Sequence, residues 1–357
     1  ARPPIIIKGD GDRRRVIMAK TTFRQVVAVL LYLGDAIAAL AISTGNAAYS
    51  QNYGSAAAVD QAAFESKEFW QQIASAIPGF YDAPELARYR GWVSNLITKS
   101  PGELSTLETG QEVLTQYVFP GLQDVPRAPF PELPDVEEAL RAVAPVAQAE
   151  LAALLAAQPL ADDDAPAGAG GDDDEQPWNR AAWYGWQFMS LRDAKAYMPE
   201  TIRALEATVP LAHRFIGIAR QRADCRGTLH SDRRNYLLST LTGLQVPESV
   251  CAVSVPGSGE RTIADGEVVV LDNTYKHLVY NNHPTQDRFV LMAEIWHPAL
   301  TTPEREALAT TFAAKDRFTV TNLRQCPWGF SDTELEEAIV SKEYKELDFW
   351  RSAGFGL

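Results

Sequence analysis

The stretch LHSDRRNYLLSTLTGLQ, residues 229–245, places a His-x-Asp pair directly before a segment rich in Leu and Thr. Side chains at positions i and i+2 of an extended chain point to the same side, so His230 and Asp232 can face one ligand. The composition of residues 236–244 favours a β-strand. This stretch therefore predicts a β-fold that presents two potential metal ligands next to the start of a strand.

Short runs rich in Val, Leu, Thr and aromatic residues follow, and residues typical of turns, such as PGSG at 256–259, separate them. The predicted strands are 236–244, 250–255, 267–271, 277–281 and 288–296. Several short strands at near-regular spacing are typical of a β-sandwich or barrel. A helix is predicted after them, over residues 303–314.

A second histidine, His277, and an arginine, Arg288, lie on two of the later strands. Two imidazoles and one carboxylate can occupy one face of a metal ion and leave positions open, which is the ligand pattern of mononuclear non-haem iron(II) sites. Many such oxygenases hold the far carboxylate of 2-oxoglutarate with an Arg at this position, because the planar guanidinium matches a carboxylate as Lys cannot. The predicted metal ligands are therefore His230, Asp232 and His277. A His-x-Asp pair alone is a weak signal, so the surrounding residues carry the case.

Composition limits the classes of partner. The chain has 357 residues, 46% of them hydrophobic, and a net charge of −13. Nucleic acid is not expected as a partner, because phosphate binding needs a basic surface. The three cysteines, Cys225, Cys251 and Cys326, are too few and too scattered for a disulfide framework or a zinc site.

Residues 1–60 are interpreted as an N-terminal tail with one hydrophobic helix. Three consecutive arginines at 13–15 precede an apolar run at 26–42, which is the layout of an export signal. Asp35 within that run makes a membrane span costly. Three interpretations stay open: a targeting remnant, a membrane anchor or surface helix, and a helix that binds this protein or a membrane-complex partner. We expect an organellar or exported setting, with the chloroplast thylakoid and the secretory pathway as the two alternatives.

The remaining chain divides by composition. Residues 61–160 are predicted to be helical, with a helix over 136–157 that Pro145 breaks or kinks. Residues 161–177, ADDDAPAGAGGDDDEQP, form an acidic linker that cannot bury apolar surface and is expected to be disordered. The β-rich domain is assigned to 178–315 and a C-terminal extension to 316–357.

The β-rich part resembles the aspartyl/asparaginyl β-hydroxylase family of iron(II)/2-oxoglutarate dioxygenases. The resemblance rests on HSD at 230–232, ADGEVVVLDN at 264–273, TYKHLVY at 274–280 and RFVLMAEIWHPALT at 288–301. The last string, which begins with Arg and ends in Trp-His-Pro-x-Leu-Thr, is the most specific. The resemblance covers roughly residues 183–310 and does not reach the N-terminal side of the linker.

This resemblance implies a double-stranded β-helix, or jelly roll. Together with the mainly α-helical N-terminal region predicted from the sequence pattern, the fold class is α+β. The resemblance also implies that His230 and His277 bind iron(II), that Asp232 supplies the carboxylate, and that Arg288 and Asn235 contact 2-oxoglutarate. The other histidines are interpreted as structural, with His213 in a helix, His283 in a turn and His297 in the Trp-His-Pro turn.

The function that the resemblance implies is hydroxylation of an Asp, Asn or similar residue in a protein or peptide substrate. The family usually has an Arg and a His on the strand after the first iron ligand, where this chain has Ser239 and Leu241. This departure leaves an alternative open: a weak or inactive member that serves as a binding or assembly subunit of a membrane-associated complex.

Overall fold

The computed structural model describes residues 63–100, 103–122, 128–157, 182–183, 186–188 and 191–322. The predicted tail at 1–60, the predicted linker at 161–177 and residues 323–357 of the predicted extension lie outside the described residues.

Helices flank the sheets in the chain. They are α1 (Lys67–Ala76), α2 (Ala87–Thr98), α3 (Pro134–Ala157), α4 (Leu191–Tyr197), α5 (Pro199–Thr208) and α6 (Thr302–Asn322). Local chemistry explains where several begin. The Ser66 hydroxyl caps α1 by accepting a hydrogen bond from Phe69 N at 3.2 Å. Glu150 of α3 accepts hydrogen bonds from Glu200 N and Thr201 N, so its carboxylate caps the positive end of α5.

The strands form a hairpin and two larger antiparallel sheets. In chain order they are β1 (Leu104–Thr106), β2 (Glu112–Leu114), β3 (Ala182–Trp183), β4 (Trp186–Phe188), β5 (Leu211–Gln221), β6 (Cys225–Arg226), β7 (Leu237–Gln245), β8 (Cys251–Val255), β9 (Gly259–Thr262), β10 (Val268–Leu271), β11 (Leu278–Asn281) and β12 (Arg288–Trp296). The hairpin pairs β1 with β2, the large sheet has the order β10-β7-β12-β5-β4-β3, and the small sheet has the order β6-β11-β8-β9. From β5 to β12 the chain therefore changes sheet at every connection except the β8–β9 hairpin.

Apolar side chains from both sheets fill the space between them. Leu241 and Val290 of the large sheet belong to the same buried cluster as Val253 and Val279 of the small sheet. Since side chains alternate along a strand, residues two positions away from these also face this interior.

The outer face of the large sheet is covered by helices. Leu291 and Ile295 of β12 lie in one cluster with Leu151 of α3 and Ile202 of α5. The α3 helix is long and apolar enough to cross a membrane by composition alone. In this structure its apolar face packs on the sheet, as expected for a core helix.

A third cluster joins the N-terminal helices to α6 at one end of the large sheet. It contains Phe69 of α1, Trp92 of α2, Trp296 of β12 and Phe312 of α6. Arg88 of α2 crosses to the start of α6 and donates through Nε to Glu304 Oε1 at 2.7 Å.

The predicted strands agree with the structure to within two residues at each end. The prediction for His213 was wrong, because it lies in β5 and not in a helix. The helical prediction for residues 61–160 missed the β1–β2 hairpin. Of the two alternatives for Pro145, the break is absent, since α3 continues from Pro134 to Ala157. The core contacts of Val143 and Ala147 hold that helix together on both sides of the proline.

Candidate active site

His230 and His277 face each other across an isolated antiparallel bridge between two loops. His230 N donates to His277 O at 3.0 Å, and His277 N donates to His230 O at 2.8 Å. The imidazole centroids lie 4.5 Å apart. The sequence-predicted pair, distant in the chain, is therefore brought together by main-chain hydrogen bonds immediately before β11.

In each histidine, a hydrogen bond between Nδ1 and a main-chain carbonyl fixes the orientation of the imidazole. His230 Nδ1 lies 2.8 Å from Thr228 O, and His277 Nδ1 lies 2.9 Å from Tyr275 O. A carbonyl oxygen can only accept, so Nδ1 carries the proton and the Nε2 lone pair is left for a ligand. This arrangement is typical of histidines that bind a metal through Nε2.

Asp232 lies beside this pair. Its Oδ1 is 3.9 Å from His230 Nε2. Its Oδ2 accepts a hydrogen bond from Asn273 Nδ2 at 3.0 Å, and its main-chain N donates to Asn273 O at 2.7 Å. Asn273 therefore ties the loop of Asp232 to the loop that leads to His277.

The donor set suits iron(II): two neutral imidazole nitrogens and a carboxylate. Two neighbouring ligands with bonds of about 2.1 Å would lie about 3 Å apart, so Asp232 and His230 would close by about 1 Å around an ion. Among the described residues, no three His, Cys, Asp or Glu side chains stand ready-formed as a metal cluster. Binding would thus require a small rotation of the Asp232 side chain.

Burial keeps His277 in its ligating form. Removal from water is the main cause that lowers the pKa of His277, and the nearby His230 lowers it further, to about 4. At neutral pH the His277 imidazole is therefore uncharged and its lone pair is available. His230 is more open, with 29% of its side chain exposed, so the site meets solvent on the His230 side.

Arg288 is fully buried at the start of β12, opposite Gln221 of β5. It lies on the same strand face as Val290, so its side chain is directed between the sheets. Its Nη1 donates to Tyr280 O over a long 3.5 Å. Burial lowers the pKa of Arg288 to about 10.

The structure does not bring Asn235 to these groups. Its Oδ1 accepts from Phe119 N at 2.8 Å and its Nδ2 donates to Phe119 O at 3.0 Å. Both ends of the Asn235 amide are used to hold the chain that follows β2. His283 and His297 accept main-chain N–H groups of their own turns, from Gln286 and Ala299.

Sequence reasoning missed Asn273 as a contact of Asp232, although Asn273 stands in a string that carries the family resemblance. It also missed Gln111, which contacts the loop that leads to His277, and Glu112, which contacts both ligand loops. Nothing in the sequence indicates that residues before the linker would lie beside His230 and His277. Ser239 accepts a hydrogen bond from Asn273 Nδ2 at 3.0 Å, and Leu241 lies in the apolar core between the sheets.

The fold and the site together define a class of protein: two antiparallel sheets with two histidines and an aspartate side by side. A family model described as Aspartyl/Asparaginyl beta-hydroxylase matches residues 142–298. The curated Aspartyl/asparaginyl beta-hydroxylase of Mus musculus is 28% identical over 79 residues, which are 22% of this chain and 10% of the mouse protein. The resemblance to this family is thereby confirmed for the C-terminal half. The match begins within α3, further towards the N-terminus than the sequence strings indicated.

Three solved structures are also similar. AviO1 from Streptomyces viridochromogenes is 20% identical, with a TM-score of 0.29 over 50% of this chain and 95% of that one. A Pseudomonas putida prolyl-4-hydroxylase is 16% identical, with a TM-score of 0.26 over 48% and 90%. HygX from Streptomyces hygroscopicus, solved with nickel and 2-oxoglutarate bound, is 14% identical, with a TM-score of 0.28 over 49% and 85%.

Proposed function

We propose that this protein is an iron(II)- and 2-oxoglutarate-dependent dioxygenase that hydroxylates an Asp, Asn or similar residue of a protein or peptide. The observation that carries the proposal is the His230–His277 bridge, in which both imidazoles donate through Nδ1 and leave Nε2 for a metal, with Asp232 alongside. The family match over residues 142–298 supports it.

The proposed fold of the catalytic part is a double-stranded β-helix. A sheet order of β10-β7-β12-β5 facing β6-β11-β8-β9 is what a chain produces when it winds as two antiparallel strands folded into a barrel. In this arrangement His230, Asp232 and His277 sit where the loops meet, and Arg288 lies deeper, between the sheets. Because Arg288 is more deeply buried than His230, an elongated dicarboxylate with one end at the metal and the other at Arg288 fits this arrangement.

In the proposed mechanism His230, Asp232 and His277 would hold iron(II), and Arg288 would pair with the far carboxylate of 2-oxoglutarate. The metal would supply oxidising chemistry, in which one oxygen atom of dioxygen enters succinate, carbon dioxide leaves, and the other oxygen atom enters a substrate C–H bond. Asn273 keeps the Asp232 carboxylate directed towards the histidines, and the apolar interior around Leu241 and Val290 limits access of water to the cosubstrate.

The open side of the site supports a large substrate. His230 is partly exposed, and its neighbour Leu229 is 49% exposed. Lys276, beside His277, also reaches solvent. A side chain of a folded protein or peptide could therefore approach the metal from the surface without entering a closed cavity.

The test is an anaerobic titration with iron(II) and then 2-oxoglutarate, recording the metal-to-cosubstrate charge-transfer absorption. We expect the band in the wild type, its absence in His277→Ala and Arg288→Ala, and its retention in the control His283→Ala. A wild type that binds no metal, or a band that survives in His277→Ala, would overturn the proposal.

One observation favours the alternative of a binding or assembly subunit. Ser239 and Leu241 supply no cation, because the first is a hydroxyl bonded to Asn273 and the second is core. If metal binds without the charge-transfer band, if association with a membrane fraction requires residues 1–60, and if His230→Ala leaves that association intact, the subunit role replaces the enzymatic one.

A further inference from the structure

A short segment outside the family match lies against both loops of the candidate site. Residues 111–114, here named the bracing segment, comprise Gln111 and the strand β2. Gln111 forms an isolated antiparallel bridge with Tyr275, two residues before His277. The family match begins only at residue 142.

Gln111 holds the loop that carries Asn273 and His277. Its side chain is completely buried, and its Nε2 donates to Asp272 Oδ2 and to Thr274 Oγ1, both at 2.8 Å. The next residue continues the contact through its main chain, since Glu112 N donates to Thr274 O at 2.7 Å. Gln111 and Glu112 therefore bind this loop on both sides of Asn273, whose amide orients Asp232.

The Glu112 carboxylate bridges the two loops. Its Oε1 lies 2.9 Å from Lys276 Nζ, and its Oε2 accepts a hydrogen bond from Ser231 Oγ at 3.2 Å. Lys276 directly precedes His277, and Ser231 stands between His230 and Asp232. A single carboxylate, only 11% exposed, thus contacts a neighbour of each predicted ligand.

The end of the bracing segment fixes an unusual backbone conformation. Arg233, immediately after Asp232, has a φ of 65°, in the left-handed region. Such a conformation is unfavourable for a non-glycine residue and persists only where its surroundings determine it. Leu114 N donates to Arg233 O at 3.1 Å and so holds the turn that leads from the ligand loop into β7.

We propose that Glu112 is a positioning residue for the metal, and that the bracing segment sets the separation of the two ligand loops. This inference rests on the proposed metal site, and it assigns to a residue outside the family match the role of a partner behind the ligands. Such partners orient metal ligands, and their loss typically weakens metal affinity by about 10–100-fold.

The experiment measures the Kd for nickel(II), a redox-stable probe, by calorimetric titration of the full chain well below its melting temperature. Glu112→Gln keeps the side-chain volume and removes the charge. We expect its Kd to rise about tenfold. The matched control is Glu108→Gln, which makes the same change at an exposed position in the preceding turn and should leave the Kd unchanged.

Lys276→Gln provides a second variant, because the Lys276 side chain is half exposed and tolerates replacement. It should weaken nickel binding less than Glu112→Gln does, since Ser231 keeps its partner. The double variant should bind no worse than Glu112→Gln if the pair acts as one unit.

The outcomes separate the two proposals. If the wild type binds nickel and Glu112→Gln binds equally well, the positioning role is overturned and the proposed function stands. A lower melting temperature of metal-free Glu112→Gln with an unchanged Kd would likewise reduce the bracing segment to a structural role. Failure of the wild type to bind any metal would overturn the proposed function and this inference together.

Discussion

At the scale of single residues, Arg288 gives the most specific prediction about cosubstrate binding. Burial lowers its pKa to about 10, yet it keeps its charge at neutral pH. A lysine in its place would meet the same desolvation from a lower starting pKa and would offer no planar fork. We expect Arg288→Lys to weaken 2-oxoglutarate binding about ten- to a hundredfold, since hydrogen bonds to charged groups contribute about 1.5–3 kcal/mol.

Anaerobic titration of the metal-loaded variant measures this loss. Arg226→Lys is the control, because Arg226 is an exposed arginine that stacks on Tyr280 at the protein surface. Nickel affinity should be the same in all three proteins. A cosubstrate affinity of Arg288→Lys equal to that of the wild type would contradict the assigned contact.

Asn273 gives a second prediction at this scale. Its side chain bonds both Asp232 Oδ2 and Ser239 Oγ, whereas its main-chain O accepts from Asp232 N independently of the side chain. Asn273→Ala therefore removes the side-chain hydrogen bonds to Asp232 and Ser239 but keeps the main-chain one, and we expect metal affinity to fall about tenfold. Calorimetry with nickel(II) checks this against Asn282→Ala, an exposed control; equal losses in both variants would refute the role.

The sequence predicted the chemically distinctive part of the site and missed its support. His230, Asp232 and His277 were identifiable because their types and order match a metal-ligand pattern. Glu112 was not, because a carboxylate in a short polar hairpin looks like any solvated residue until the fold places it beside Ser231. Asn235 was assigned to cosubstrate by its neighbourhood in the sequence, whereas its amide faces Phe119.

At the scale of elements, strand prediction succeeded where short apolar runs are separated by turn residues, as in β7, β8 and β10 to β12. It failed for the β1–β2 hairpin, in a region predicted to be helical, and for β5. Residues 211–221 contain His213 and Arg220 among apolar residues, and their pairing with β12 determines the strand. That pairing joins positions far apart in sequence, which local composition cannot reveal. The same long-range packing explains why α3 continues through Pro145.

The packing of α3 on the large sheet gives the prediction for this scale. Leu151 is 1% exposed and lies in the cluster with Leu291 and Ile202. Leu151→Ala should lower the free energy of unfolding by about 2–5 kcal/mol, because a cavity remains in a packed core. The control Val146→Ala changes the exposed face of the same helix and should stay within about 0.5 kcal/mol. Urea unfolding measures both, and similar values would show that α3 does not pack as described.

At the scale of the whole molecule, the helices before the family match belong to the same folded unit as the sheets. The described residues between 63 and 322 fall in one compact unit, and one buried cluster joins Trp92 of α2, Trp296 of β12 and Phe312 of α6. The bracing segment, which is part of this folded unit, contacts the loops of the candidate site. Metal binding and the N-terminal helices are therefore expected to be linked through the fold.

The Arg88–Glu304 pair tests this unity directly, because it joins α2 to α6. Glu304 is 1% exposed, and its carboxylate accepts hydrogen bonds from Arg88 Nε at 2.7 Å and from Thr301 N at 2.8 Å. Breaking a buried pair typically costs about 3–5 kcal/mol, and partial exposure of Arg88 reduces this, so Arg88→Met should cost about 2–3 kcal/mol.

The double variant Arg88→Met/Glu304→Gln should regain part of this loss, because no uncompensated carboxylate then stays buried. Arg141→Met is the control: Arg141 is 47% exposed and pairs with Glu137 one turn earlier on the same helix, and the change should cost less than about 0.5 kcal/mol. Chemical unfolding followed by tryptophan fluorescence measures five proteins: the wild type, Arg88→Met, Glu304→Gln, the double variant and the control. If the two single changes simply add in the double variant, Arg88 and Glu304 do not couple α2 to α6, and the N-terminal helices would be stabilised by their apolar cluster alone.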